Sequence, residues 1–529
     1  MRTGRGARSV LCILAILAIS ATLLLLVSAP AFAATPHISS LSPNHGAVGS
    51  AVGIKGTGFG TTQGVVLFNL VPAIVSSWTD TLIIVTVPTG AVTGNVTVVT
   101  AALPPVASNS VAFTVNSTPV TTQTWYLAEG STNYGFDTYI MMENTTNVDA
   151  TVNVIYDTTQ YGLIPRPQAL NVPPNSRITL HVNDDIPNVD LSTEVISSQK
   201  IVVERSIYWN NRIEGTDSIG VTQTSKQWYL AEGCTTYPFE TWVLIQNPSA
   251  TTAANVNMTY MTSKGVITKG PFSVGAGQRK TIDVFRDVGA CDVSTMVASD
   301  QNVVCERSMY WSNRRGGHDS VGVTATSKTW YMAEGSTAWG FDTWLLLQNP
   351  NSTAAKVNVT YMTKSGPVNE KQMTLEARTR KTIHVNDKVP NTDTSIAVSS
   401  NLAINAERAM YWDNGTGKAG TDTVGMKTAS NTIYLAEGTT AWGFETFVCI
   451  QNPNSDVANV TVTYMTNNGP VDGGIWKVPA NSRVTINVNT QLNNQDTSIK
   501  LTSDNKIMAE RAMYWNSRGG GHCSIGWAP

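Results

Sequence analysis

The sequence predicts an all-β protein made of tandem β-sandwich domains, and three observations carry that reading. Charged residues make up 14% of the 529, against about 25% in a typical soluble chain. Val, Thr, Ser, Asn and Gly fill the gap, which is the vocabulary of strands and turns. Apolar residues fall in short runs between Gly, Pro and Asn, with clear alternation in Lys356-Val357-Asn358-Val359-Thr360-Tyr361 and no 3.6-residue stripe long enough for a major helix. From Trp125 onward the chain repeats itself every 102 or 103 residues, enough for one seven-stranded sandwich per period. Hydrophobic residues at 42% supply ordinary cores and exclude wholesale disorder.

The first 33 residues read as an export signal. Arg2, Arg5 and Arg8 precede an apolar run, Val10 to Val27, and Ala31-Phe32-Ala33 supplies a cleavage site before Ala34. At 18 residues the apolar core is longer than the usual signal, so an uncleaved membrane anchor is the alternative. Either way the remainder is placed outside the cytoplasm, secreted or on the cell surface. No later run approaches the roughly 20 apolar residues of a spanning helix, and no span is expected after cleavage. The formal charge is −2, and without the signal 32 Lys+Arg face 37 Asp+Glu. That balance argues against nucleic acid as a partner, which calls for a basic stripe.

Residues 34–116 form a separate unit. Its motifs are Leu41-Ser42-Pro43 with Gly46, Ile54-Lys55-Gly56-Thr57-Gly58-Phe59-Gly60, Trp78-Thr79-Asp80-Thr81-Leu82-Ile83 and Val87-Pro88. On these motifs the unit resembles an IPT/TIG domain. The resemblance implies an immunoglobulin-like sandwich of the E-set type, a module used on surface proteins and in some transcription factors; the signal selects the former.

Four repeats follow, at 124–222, 227–324, 329–427 and 432–529. Each opens on a strand such as Trp125-Tyr126-Leu127-Ala128-Glu129-Gly130, continues with Phe-[Asp/Glu]-Thr, an Asn, a Tyr and an Arg two residues before Thr, and reaches Glu-Arg-x-x-Tyr-Trp. A [Ser/Thr]-[Ile/Val]-Gly closes it. Strand runs in the third repeat are Thr329–Ala333, Thr343–Gln348, Lys356–Met362, Glu370–Glu376, Arg380–Val385, Ser395–Ser399 and Ala403–Trp412, with an eighth at Thr423–Lys427. An eight-bladed propeller with two blades per repeat is the alternative, and the poor likeness between the halves of a repeat weighs against it. The motif set resembles repeats of exported bacterial proteins without an assigned activity. Links of six to nine Thr- and Ser-rich residues, as at Thr324–Thr329, predict a semi-rigid string of domains in contact.

The recurring charges admit two readings: glycosidic acid–base pairs, or ion pairs that close strand ends. Four identical active sites in one chain favour the second, and the chain is read as non-catalytic. Arg205, Arg307, Arg408 and Arg511 share a strand face with Val, Ile or Met, and Trp, where an unpaired charge is costly. The expected partners are Glu129, Glu232, Glu334 and Glu437, the Glu of Ala-Glu-Gly. Most recurring aromatics read as core, but Tyr134, Tyr237, Trp339 and Trp442 sit in a turn-forming loop and are the expected carbohydrate-binding groups. Asp-rich turns such as Val182-Asn183-Asp184-Asp185 fit Asx turns better than calcium loops, and the scattered His and Cys lack zinc spacing. No metal and no cofactor is expected. The five Cys after the signal suggest Cys234–Cys305 and Cys449–Cys523 disulfides with Cys291 free. The function expected from this is an exported surface scaffold or adhesion protein, with surface polysaccharide or other surface proteins as partners. A carbohydrate-binding protein is the alternative reading, and a glycoside hydrolase the third.

Overall fold

The structure is a computed structural model. It describes residues 35–529 apart from 89, 103–104, 117–122, 167 and 414–417. The proposed signal lies outside the described residues. Among those residues no helix is long and apolar enough to cross a membrane.

The chain is all-β. In the N-terminal module the strands His37–Ser42, Ala51–Thr57, Leu82–Thr86 and Ile74–Trp78 form one sheet, and a second is built around Val65–Phe68, Gly94–Val99 and Val111–Val115. Alternation along Ala51–Thr57 sends Val52 and Ile54 inward, where they meet Phe68, Val96 and Phe113 of the facing sheet. The strand Val65–Phe68 ends on a turn at Asn69 and Leu70, both at positive φ. Leu70 and Val71 pack on Ile155 and Ile196 of repeat 1, so the module leans on its neighbour.

Each repeat is a two-sheet sandwich. In repeat 1 the outer sheet holds Gln123–Leu127, Leu191–Ser197 and Ala150–Thr158, and the inner sheet runs Ser176–His181, Asp137–Asn144, Ile201–Trp209, Glu214–Ile219. In repeats 2 to 4 the two strands before the last merge into one that serves both sheets: Val293–Trp311, Thr394–Asp413 and Thr497–Trp515. The two runs read from the third repeat's sequence, 395–399 and 403–412, are thus one strand, and the eighth begins earlier, at Lys418. The opening Trp is fully buried in repeats 1 to 3. Its indole donates to the carbonyls of Ile201, Val303 and Ile404 at 3.1, 2.9 and 2.8 Å, which satisfies the one polar atom it takes inside.

The repeats do not form an open string. The last strands, Glu214–Ile219, Gly316–Val321, Lys418–Val424 and Gly520–Ile525, stand around one axis, each against the corresponding strand of both neighbours, and that of repeat 4 packs on that of repeat 1. The result is a closed ring with pseudo-four-fold symmetry. Its closing glycines Gly220, Gly322, Gly425 and Gly526 are required by close approach. A Cβ on Gly220 would lie 3.1 Å from the Trp125 ring, and one on Gly526 2.2 Å from Ile433.

Ring closure has a direct test. A protease site cut between Ala325 and Thr326, in the link between repeats 2 and 3, leaves two half-rings that share two seams. They are expected to co-elute in size exclusion, and still to do so when Arg307→Ala weakens the seam between repeats 2 and 3; separate elution of the 326–529 half in that variant would mean that repeats 4 and 1 do not bind.

Candidate functional site

The chemistry-bearing residues collect at the four seams of the ring, and alternation along one strand explains how. Neighbouring residues of a strand face opposite ways, so the Glu-Arg pair sends its two charges to two different repeats. Glu204 turns back to repeat 4, accepting from the Ala436 amide at 2.6 Å and from Arg511 at 2.9 Å. Arg205 turns forward to repeat 2, where it meets Glu306 at 2.8 Å and also Asp319. The same exchange joins Arg307 to Glu407 and Asp422 at 2.9 and 2.6 Å, and Arg408 to Glu510 at 3.0 Å. The amides of Ala128, Ala231 and Ala333 donate to Glu306, Glu407 and Glu510 at 2.6, 2.6 and 2.7 Å. All of these charges are buried. Each knot is closed by an Arg from the following repeat: Arg279 donates to the Gly130 carbonyl and pairs with Glu129 at 3.5 Å, and Arg483 pairs with Glu334 at 3.3 Å.

The Glu–Arg contacts expected from the sequence distribute unevenly. Glu437 and Arg511 lie 2.9 Å apart, and Glu232 and Arg307 3.5 Å. Arg205 instead reaches the backbone carbonyl of Glu129 at 2.9 Å, while the Glu129 carboxylate turns to Arg279. Glu334 turns to Arg483 and Cys449. The reason is competition: the next repeat around the ring offers each Arg the Glu of its own Glu-Arg pair, together with an Asp from its last strand for Arg205, Arg307 and Arg511 and Cys523 for Arg408. Sequence reading missed Asp217, Asp319 and Asp422. Their signal was present, since Asp stands two residues before Ile or Val of the closing motif in three copies, with Cys523 in the fourth.

The seams differ in detail. His318 and His522 enter two opposite knots, where repeats 1 and 3 carry Thr216 and Thr421. Burial holds both imidazoles neutral, with pKa values down to about 3 and about 4. Glu232, His318 and Asp422 face one another, as do Asp217, Glu437 and His522. Arg307 and Arg511 already stand among those carboxylates, at the place a metal would take. Burial raises Glu407 and Asp422 to about 7 despite Arg307 beside them.

The five cysteines are free thiols, which corrects both expected disulfides. Cys449 and Cys523 lie on strands that flank opposite sides of Thr497–Trp515. Two strand spacings put them about 9–10 Å apart, beyond the roughly 7 Å reach of a disulfide. Cys305 points into the hydrophobic core, whereas Cys234 sits on a loop bridged to Asp292.

The aromatics separate into three groups. The opening Trp is core. The Tyr-Trp pair forms the seam: Tyr310 of repeat 2 packs on Phe136 and Trp209 of repeat 1, and Tyr208 of repeat 1 packs on Phe444 and Trp515 of repeat 4. Tyr134, Tyr237, Trp339 and Trp442 are 76, 87, 79 and 76% exposed. Tyr134, Trp339 and Trp442 hold φ of 53, 59 and 53°, a left-handed backbone that costs a bulky residue about 1 kcal/mol or more.

Trp339 also lines a cleft of about 300 Å³ between repeats 3 and 4, floored by Glu334, Arg483 and Cys449. The cleft opens there because repeat 4 carries Phe447 and Cys449 where the others carry larger side chains: Tyr139 and Met141, Trp242 and Leu244, Trp344 and Leu346. A second cavity, of about 320 Å³, lies on the ring axis among the closing segments.

Fold and seams define an all-β protein in which an Ig-like module precedes a closed ring of four sandwiches. Residues 36–115 are an IPT/TIG domain. Residues 323–529, one half of the ring, match a family described as "Family of unknown function (DUF5719)". No curated protein matches the chain. Among solved structures, Thermotoga maritima 1070 is similar at 18% identity over 20% of this chain and 96% of its own, with a TM-score of 0.18. The Anabaena sensory rhodopsin transducer is similar at 26% identity over 16% of this chain and 95% of its own, with a TM-score of 0.15. A tetra-tandem repeat from the extending region of a large adhesion protein is similar at 14% identity over 72% of this chain and 92% of its own, with a TM-score of 0.10. At these TM-scores the likenesses carry no argument about what the chain does.

Proposed function

We propose that the protein is a non-catalytic, exported binding scaffold that presents the four loop aromatics of its ring to a carbohydrate at the cell surface. One observation supports this most. The recurring charges are spent in bonds between repeats, while Tyr134, Tyr237, Trp339 and Trp442 recur and stay at least 76% exposed. An aromatic face held out to solvent suits stacking on a pyranose ring. Pseudo-symmetry sets the four at one height around the axis, so weak single contacts on a polymer add through effective concentration. The Arg, Asp and Tyr around the cleft beside Trp339 add hydrogen-bonding groups to its aromatic wall. The apolar, arginine-led start of the sequence supports export.

The test is a glycan array probed with the mature chain, starting at Ala34, and with a Tyr134→Ala, Tyr237→Ala, Trp339→Ala, Trp442→Ala variant. Binding to a polysaccharide is expected, with a loss of at least tenfold in the variant and no change in melting temperature. Equal binding by both would remove the aromatics from the function. No binding to any glycan would leave a protein-directed adhesion scaffold.

A further inference from the structure

The seam between repeats 1 and 2 contains a group of buried oxygens that its hydrogen bonds only partly satisfy. On the outer sheet of repeat 1, Tyr126 is the register partner of Glu194, and Glu194 of Ile155. Asp157, two residues on from Ile155, shares that face. Repeats 2 to 4 have no acid at either position: they carry Met261 and Met296, Met362 and Ala397, Met465 and Lys500. Glu194 and Asp157 are 1 and 0% exposed. The cover comes from two sides: the turn of the N-terminal module on Ile155 and Ile196, and Gln246 of repeat 2, whose Nε2 donates to Asp157 Oδ2 at 2.6 Å. Among the described residues no Arg or Lys forms an ion pair with either acid.

Two buried carboxylates without a cation is an unfavourable state, and the hydrogen bonds present do not relieve it. One oxygen of Asp157, one of Glu194 and the carboxamide oxygen of Gln246, itself fully buried, have no partner. We propose that Asp157, Glu194 and the carboxamide of Gln246, turned over so that its unpartnered oxygen takes the place of the nitrogen at Asp157, hold a hard divalent cation of the calcium class, joining repeat 1 to repeat 2 beneath the N-terminal module. The donors named, and the Tyr126 hydroxyl next to them, are all oxygen, which selects hard cations over zinc or copper. Two negative charges with no other counter-ion select a charge of +2. Without the cation the pair retains a proton at neutral pH, for burial raises Asp157 to about 7 and holds Glu194 well above the usual carboxylate range. Binding displaces that proton to solvent. A cation here fixes the angle between module and ring, since every group that covers it belongs to one or the other.

The test uses the mature chain, stripped with EDTA and returned to chelator-free buffer at pH 7.5. CaCl₂, MgCl₂ and NaCl at matched ionic strength are titrated by calorimetry and by thermal melting. Binding of one Ca²⁺ per chain with a rise in melting temperature is expected. Glu194→Gln is expected to weaken binding at least tenfold and to raise the melting temperature of the cation-free protein. The pair Asp157→Met, Glu194→Met, which copies repeat 2, should fold and should abolish the response to Ca²⁺. A wild-type chain that neither binds Ca²⁺ nor melts higher with it overturns the proposal. So does a Ca²⁺ response retained in full by the Met pair, which would put the ion elsewhere.

Discussion

Replacing Arg511 by alanine is expected to destabilise the ring by about 3–5 kcal/mol, the usual result of removing one partner from a buried ion pair. Arg511 lies among Glu204, Asp217 and Glu437, each at 2.9 Å, and without it three carboxylates share a dry space. Its position gives the loss a second signature. The knot it ties is the seam between the last repeat and the first, so small-angle scattering should show the ring open at that point while the sandwiches stay folded. Arg307→Ala should cost as much without opening the same seam. Arg408→Ala should cost less, because where the other arginines meet an Asp, Arg408 meets Cys523, at 3.4 Å. Equal losses at all three positions would mean that Asp and Cys523 serve their arginines alike, and small losses at all three that the seams are held by their aromatics and not by their charges.

Acid is expected to weaken the ring through its two histidines. His318 and His522 have folded pKa values near 3 and 4 against 6.5 when unfolded, because burial penalises the charged ring. Between those values the unfolded chain binds more protons than the folded one. The stability they contribute is therefore complete above pH 6.5 and is lost as the pH falls towards 4. By pH 5 the loss is about 2 kcal/mol for each histidine. Glu407, Asp422 and Asp157, raised to about 7, act in the opposite sense, adding stability as they protonate in the folded state. A difference measurement isolates the histidines. His318→Thr with His522→Thr copies Thr216 and Thr421 and keeps those carboxylates. The urea midpoint of this variant should exceed that of the parent by a growing margin from pH 7 to pH 5; a constant margin would show that neither imidazole is held neutral.

Much of the fold could be read directly from the sequence. Alternation and turn residues are local, so the β class, the IPT/TIG module and the strands of each repeat were legible in order. A repeat of fixed length with every motif in phase was enough to predict four equivalent units. The exposure of Tyr134, Tyr237, Trp339 and Trp442 followed from the Gly-containing loop that carries three of them. The burial of Arg205, Arg307, Arg408 and Arg511 followed from the apolar company they keep on one strand face.

What the sequence left open is where each unit's charges go. Alternation states that Glu204 and Arg205 face opposite ways, but not that one side is repeat 4 and the other repeat 2. That assignment depends on a small rotation between successive sandwiches. Four such rotations must sum to a full turn for Arg511 to meet Glu204, 307 residues away in sequence. Tertiary pairing within a repeat decides the cysteines too, because β-sheet order, not spacing along the chain, sets whether Cys449 and Cys523 are neighbours. Packing between units likewise decides Asp157 and Glu194, which nothing in the local sequence marks as buried and which the N-terminal module and Gln246 cover. Local physics fixed the repeats; the knots and the uncompensated acids exist only because one repeat or module packs on another, and the ring closes only because the last repeat returns to the first.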